Sequence, residues 1–374
     1  MTQVYLVPGF FGFTELGSFN YFHRVSDVLG EALQEQLVDA EIIEVDTVPT
    51  GSIRRRATRL LEIVREHGGL KQDHIHFIGH STGGLDVRML LTPGVQLFPT
   101  QEEIAIADRT RSAITLSTPH YGTPLANIFT SMNGRTLLYI LTLLATSGPG
   151  RYALYVAARY LSTIARFDRL LGQRENILDS LAENLLKRFS PKRGDALWEF
   201  IRDISRDQGA MIQLTPESMD LFNAAAPDRE NVEYICFLSA SPPPSPHSFI
   251  ISPRNLYRSV THAIYATTYA ITSREHPQYP YPTPEAAVFD EISTRLAFTL
   301  NSGTNDGVVP ALSQIWGRLG SVVIGDHLDV VGQFRHTTED TVYSTWLYSG
   351  SGFNKQRFRQ LWSDIADVIA KAQS

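Results

Sequence analysis

The chain has 374 residues, of which 43% are hydrophobic and 19% charged, an ordinary globular composition that excludes a disordered, collagen-like or coiled-coil chain. Its 33 Lys and Arg against 39 Asp and Glu leave a net charge of -6, so nucleic acid is not an expected partner. The single cysteine, Cys236, excludes an intrachain disulfide and a cysteine-built zinc site.

The first third alternates strand and helix signals. Val4–Val7 reads as a strand ended by Pro8-Gly9, Phe22–Gln36 as a helix, Ile42–Val45 as a strand and Arg55–His67 as an amphipathic helix. Ile75–Ile78 follows as a strand, Gly84–Leu91 opens a helix, and Ala113–Leu116 is a fourth strand. Strands alternating with helices predict a parallel sheet covered on both faces. After Pro124 the strand signal fades. Leu137–Ala145, Tyr152–Leu171, Ile177–Phe189 and Ala196–Ile204 read as helices, which makes 127–229 a helical cap inserted into a core of 1–126 and 230–374. Val232–Leu238 returns to strand character. The Pro-rich stretches Ser241–His247 and His276–Pro284 are surface connections, because proline removes backbone donors. Val322–Ile324 is a late short strand and Asn354–Lys371 a closing helix. The longest apolar stretch, Leu137–Ala145, is far below the roughly 20 residues a bilayer span needs, so no transmembrane segment is expected.

Gly79-His80-Ser81-Thr82-Gly83 fits the G-x-S-x-G pattern. By itself the pattern is weak, but here it follows a strand and precedes a helix, the context a nucleophile elbow requires. Ser81 is the candidate nucleophile, placed at a helix N-terminus whose N–H groups favour negative charge. A tetrahedral intermediate needs two donors. The N–H of Thr82 and that of Phe10, in Pro8-Gly9-Phe10-Phe11-Gly12, are the candidate oxyanion hole. A serine needs a base and the base an orienting carboxylate. Asp306 lies in Gly303-Thr304-Asn305-Asp306-Gly307, and His327 follows the strand Val322–Ile324. The order Ser81, Asp306, His327 matches an α/β-hydrolase, the fold class expected here: a mostly parallel sheet flanked by helices with a helical cap. His336 is the alternative base, and Asp326 and Asp329 are alternative acids. His120 precedes any acid and reads as a local hydrogen-bonding group, while His74 and His76 read as packing residues.

Jointly, VPGFFG, HFIGHSTGGLDVR, STPHYGTPLA, Gln213–Asn223, NSGTNDGVVP and DHLDVVGQ resemble the bacterial true lipases of the Pseudomonas and Burkholderia type. The resemblance implies carboxylic ester hydrolysis and a mobile helical lid. It also implies a structural calcium held by Asp290, Asp329 and the carbonyl of Gln333, with no organic cofactor. Pro8 stands where these lipases commonly carry His, the insertion is longer than the usual lid, and the tail from Tyr343 to Tyr348 is distinctive, which points to a sister family. The expected activity is a serine esterase or lipase acting on acyl esters. Acyl transfer or polyester depolymerisation on the same triad is the second enzymatic reading, and a catalytically dead binding module the non-enzymatic one. Apolar residues of the cap, Leu137, Leu141, Leu154 and Val156 among them, serve packing, acyl contact and contact with a lipid–water interface, with Gly148-Pro149-Gly150 as a hinge. The solitude of Cys236 favours a cytoplasmic enzyme, with an exported one lacking its leader left open.

Overall fold

The computed structural model describes residues 2–10, 15–16, 19–97, 102–129, 207, 209–244, 256–296, 298–334 and 347–373. The elements in chain order are β1 (Thr2–Val7), α1 (Val25–Glu35), β2 (Ala40–Glu44), α2 (Ile53–Glu66), β3 (His74–His80), α3 (Thr82–Leu91), α4 (Glu102–Arg109), β4 (Thr110–Leu116) and α5 (Pro124–Phe129). They continue with α6 (Gly209–Gln213), α7 (Pro216–Ala225), β5 (Glu233–Ala240), α8 (Leu256–Thr272), α9 (Ala286–Arg295), β6 (Arg318–Ile324) and α10 (Lys355–Gln373). These six strands form one sheet in the order β2-β1-β3-β4-β5-β6 with all five pairings parallel, and Glu15–Leu16 pairs antiparallel with Phe19–Asn20 outside it.

The pleat explains how both faces are filled. Side chains alternate along a strand, so Val4 and Leu6 of β1 join one core while Tyr5 and Val7 join the other. On the first face, α1 and α10 contribute Val25, Leu29, Phe358, Trp362 and Ile369, all nearly or wholly buried. On the second, α2, α3 and α4 contribute Leu60, Leu61, Val64, Val87, Leu90 and Ile106. A sheet buried on both faces needs apolar residues at consecutive strand positions, as in Val4-Tyr5-Leu6-Val7. Together these features define an α/β-hydrolase fold.

Helix α1 begins at Val25 rather than Phe22, because Arg24 sits in the left-handed region (φ 60°) and breaks the helical run. The late strand runs over seven residues, Arg318–Ile324, and not three, since its first four, Arg318-Leu319-Gly320-Ser321, hold a single apolar residue and so carry little strand signal. Helices α8 and α9 have no counterpart in the sequence reading. The end of the expected cap, α6 and α7, packs on the core through Leu214 and Met219 against Ile53, Leu85 and Ala126. The four cap helices expected between Leu137 and Ile204, the Gly148-Pro149-Gly150 hinge and His336 lie outside the described residues. Among the described residues, no helix is long and apolar enough to cross a membrane.

Candidate active site

Ser81 occupies a one-residue turn between β3 and α3 and adopts φ 55°, ψ -128°, a conformation that L-residues rarely take. The turn closes only because its neighbours are glycines. A Cβ on Gly79 would collide with the backbone of Gly84, and one on Gly83 with the Val7 carbonyl. The Ser81 N–H donates to the Leu116 carbonyl at 2.9 Å, which continues the β3–β4 ladder through the turn. Helix α3 starts directly behind Ser81, so its positive end lies beside the serine.

The acid and base come from two loops beyond the later strands. Asp306 is fully buried and accepts five hydrogen bonds. Its Oδ1 accepts the N–H groups of Val308 (2.9 Å) and Val309 (2.7 Å). Its Oδ2 accepts from the Ser239 hydroxyl (3.0 Å), Gln314 Nε2 (3.3 Å) and His327 Nδ1 (2.8 Å). Five donors hold the carboxylate in one orientation. His327 is anchored through its backbone as well: its N–H donates to the Asp306 carbonyl at 3.0 Å. This arrangement selects Asp306 over Asp326 and Asp329 as the partner of His327.

Ser81, His327, Phe10 and Thr82 line one cavity of about 110 Å³. The other walls are mostly apolar: Pro119, Leu125, Ala126, Met211, Leu214, Ile264, Val308, Val309, Leu328 and Leu347. Tyr21, Thr123 and Thr268 add hydroxyl-bearing side chains. The Thr82 hydroxyl is buried and finds no hydrogen-bond partner among the described residues.

The loop that carries Phe10 is fastened by an ion pair that lies outside the G-x-S-x-G pattern and the loops of Asp306 and His327. Arg56 on α2 and Asp86 on α3 are both fully buried and joined at 2.8 Å. Arg56 also donates to the carbonyls of Pro8 (2.7 Å), Gly9 (2.9 Å) and Val48 (3.0 Å). Burial pushes the Asp86 carboxyl up to about 6, against the pull of Arg56. Gly9 has no room for a side chain, since a Cβ there would lie 2.6 Å from both Ser81 Cβ and Tyr21 Oη.

His120 is buried and bonded to Thr115 Oγ1 (3.2 Å) and Arg88 (3.3 Å), and its ring stacks on Trp316, so it is a packing group behind the site. His76 is buried against Ser112, and His74 accepts from the exposed Arg111. Cys236 is buried on β5, where desolvation raises its thiol to about 11 and keeps it unreactive.

The candidate calcium ligands lie in different surroundings. Asp290 is exposed on α9, whereas Asp329 is buried and its Oδ2 already accepts from the Asp326 N–H and the Ser351 hydroxyl. The Gln333 side chain donates to the carbonyls of Asn20 and Tyr21, contacts that do not involve the backbone carbonyl named by the resemblance. Among the described residues, no group of three or more His, Cys, Asp or Glu could hold a metal ion. A melting scan in excess EDTA tests the ion: a fall in melting temperature reversed by calcium would establish it, and an unchanged melting temperature would exclude it.

No family model matches the chain, and no curated protein matches its sequence. Solved structures do match its fold. The lipase of Staphylococcus hyicus aligns with a TM-score of 0.52 at 16% identity, over 99% of this chain and 96% of that one. EstA of Clostridium botulinum aligns with a TM-score of 0.52 at 17% identity, over 98% and 87%. Lipase 1 of Pelosinus fermentans aligns with a TM-score of 0.51 at 16% identity, over 99% and 98%. At identities this low the likeness shows a shared α/β-hydrolase fold and nothing finer.

Proposed function

We propose that the protein is a serine carboxylic ester hydrolase. The observation that carries this reading is a strained serine, Ser81, at a strand-to-helix turn, sharing an apolar cavity with a histidine whose Nδ1 lies 2.8 Å from a buried carboxylate. Ser81 Oγ attacks the ester carbonyl while His327 Nε2 takes its proton. The proton then passes to the leaving alkoxide, which departs as the alcohol. Asp306 holds the Nδ1–H tautomer and stabilises the imidazolium. The N–H groups of Phe10 and Thr82 hold the oxyanion, and a water activated by His327 releases the acid. In this scheme the Ser81–His327 hydrogen bond belongs to the substrate-bound state.

The apolar cavity walls suit an acyl chain, which makes acyl esters the substrate class and a lipid surface the expected source of the longer ones. The finer affiliation, a sister group of the Pseudomonas and Burkholderia lipases, rests on the sequence patches around Ser81, Asp306 and His327. A p-nitrophenyl ester panel from acetate to palmitate, with and without an emulsified interface, tests the activity. Hydrolysis of at least one member is expected, and no turnover of any ester would refute it. Adding an alcohol acceptor to the same assay separates hydrolysis from acyl transfer by the product formed.

A further inference from the structure

One hydrogen-bond chain joins the loop of the candidate oxyanion hole to the candidate base. Gly9 N lies 2.7 Å from Tyr21 Oη, Tyr21 Oη 2.7 Å from His80 Nδ1, and His80 Nε2 2.9 Å from the carbonyl oxygen of His327. The proton on each link is fixed by elimination. The His327 carbonyl can only accept, so His80 Nε2 carries its hydrogen. His80 is fully buried, and desolvation together with the neighbouring His327 holds it well below the usual histidine range, so the ring is neutral and its Nδ1 is bare. Tyr21 must therefore donate to His80. Burial pushes the Tyr21 phenol up, which keeps that proton in place, and Tyr21 Oη is left to accept from the Gly9 N–H. The rings of His80 and His327 pack at 4.7 Å between centroids, and Tyr21 itself lines the cavity.

Resting on the ester-hydrolase reading above, we infer that Tyr21 and His80 are positioning residues that lock the Gly9–Phe10 loop to the backbone of His327. Neither touches the reacting atoms in the proposed scheme. Their effect is on where the Phe10 N–H points when charge develops on the ester oxygen, because Gly9 is the residue before Phe10. A loop free to rotate by a fraction of an ångström loses a donor that matters mainly in the transition state. The chain acts as a unit: breaking either Tyr21–His80 or Gly9–Tyr21 disconnects the loop from the base.

The test is a cycle of Tyr21→Phe, His80→Ala and the double variant, each measured for kcat and KM on the best ester and for Ki of an alkyl trifluoromethyl ketone. That ketone adds to a catalytic serine and places an oxyanion where the tetrahedral intermediate's would lie. Tyr21→Phe is expected to lower kcat by roughly 10- to 100-fold with KM nearly unchanged, and to raise Ki by a similar factor. The double variant should lose no more than the worse single one. A Tyr21→Phe enzyme with wild-type kcat and Ki, or losses that multiply in the double variant, would overturn the inference. Tyr21→Phe keeps the ring packing, so its kcat and Ki decide the matter even if His80→Ala does not fold. A wild-type protein that neither hydrolyses esters nor binds the ketone would instead overturn the functional reading.

Discussion

Ser81→Ala is expected to abolish ester turnover, lowering kcat by about 10⁴- to 10⁶-fold while the protein stays folded. The size follows from the role assigned to Ser81. Without its hydroxyl no acyl-enzyme forms, and only binding and the oxyanion donors remain to assist water. His327→Ala should cost about as much, and the double variant little more, because the groups work as one unit. Stability should move differently. Ser81 sits at φ 55°, ψ -128°, a conformation that costs a non-glycine residue about 1–3 kcal/mol. Alanine keeps a Cβ and hence most of the strain. Ser81→Gly removes it and is expected to raise the melting temperature while being equally inactive. A Ser81→Ala protein that retained most of its turnover would remove the serine from the mechanism.

The second large effect falls on Arg56. Its guanidinium is fully buried, pairs with the equally buried Asp86 and holds the carbonyls of Pro8 and Gly9. Arg56→Met leaves a buried carboxylate without its partner, which costs about 3–5 kcal/mol of stability. The penalty depends on pH. Burial already lifts Asp86 to about 6 with Arg56 present, and without it the folded carboxyl rises further above its unfolded value. A group whose folded pKa is raised stabilises the fold while protonated and loses that contribution as the pH climbs through the folded pKa. Arg56→Met should therefore be more destabilised at pH 8 than at pH 6. The double variant Arg56→Met/Asp86→Leu removes both charges and should recover much of the stability. Activity should not recover with it, because the Pro8 and Gly9 carbonyls then lose their guanidinium donor and the loop keeps only its other hydrogen bonds. Urea unfolding at the two pH values, with kcat measured on the double variant, separates the two roles. A double variant as active as the wild type would show that the pair only holds the fold.

Much of the fold was legible because β1 to β5 are short apolar runs punctuated by glycine and proline, and a parallel sheet needs such runs. Helices α8 and α9 were not. The α8 sequence LYRSVTHAIYATTYAIT is dense in Thr, Tyr, Val and Ile, residues of low helix propensity, and only packing of Ile264 and Tyr265 into the core makes it a helix. Helix α9 follows the Pro-rich connection at 276–284, so its turn of Val288, Phe289 and Ile292 was submerged in loop signals. For the site, Ser81 and His327 stood in glycine-flanked motifs at strand ends, and Asp306 in a glycine-flanked loop. Ser239, Gln314, Tyr21, Arg56 and Asp86 did not, because their importance comes from contacts across long stretches of chain; His80 lies inside the serine motif, but its contacts too are with the distant Tyr21 and His327. Arg56 did leave one trace: it falls on the apolar stripe of α2 formed by Ile53, Ala57, Leu60 and Val64, where a charge demands a buried partner.

The central claim is that Ser81 is an activated nucleophile. A fluorophosphonate probe followed by peptide mass mapping tests it most directly, since the probe reacts with serines whose proton a nearby base can take. One adduct per chain on the peptide that carries Ser81, lost in His327→Ala, is expected. No adduct on the folded wild-type protein, or an adduct on a different residue, would contradict it.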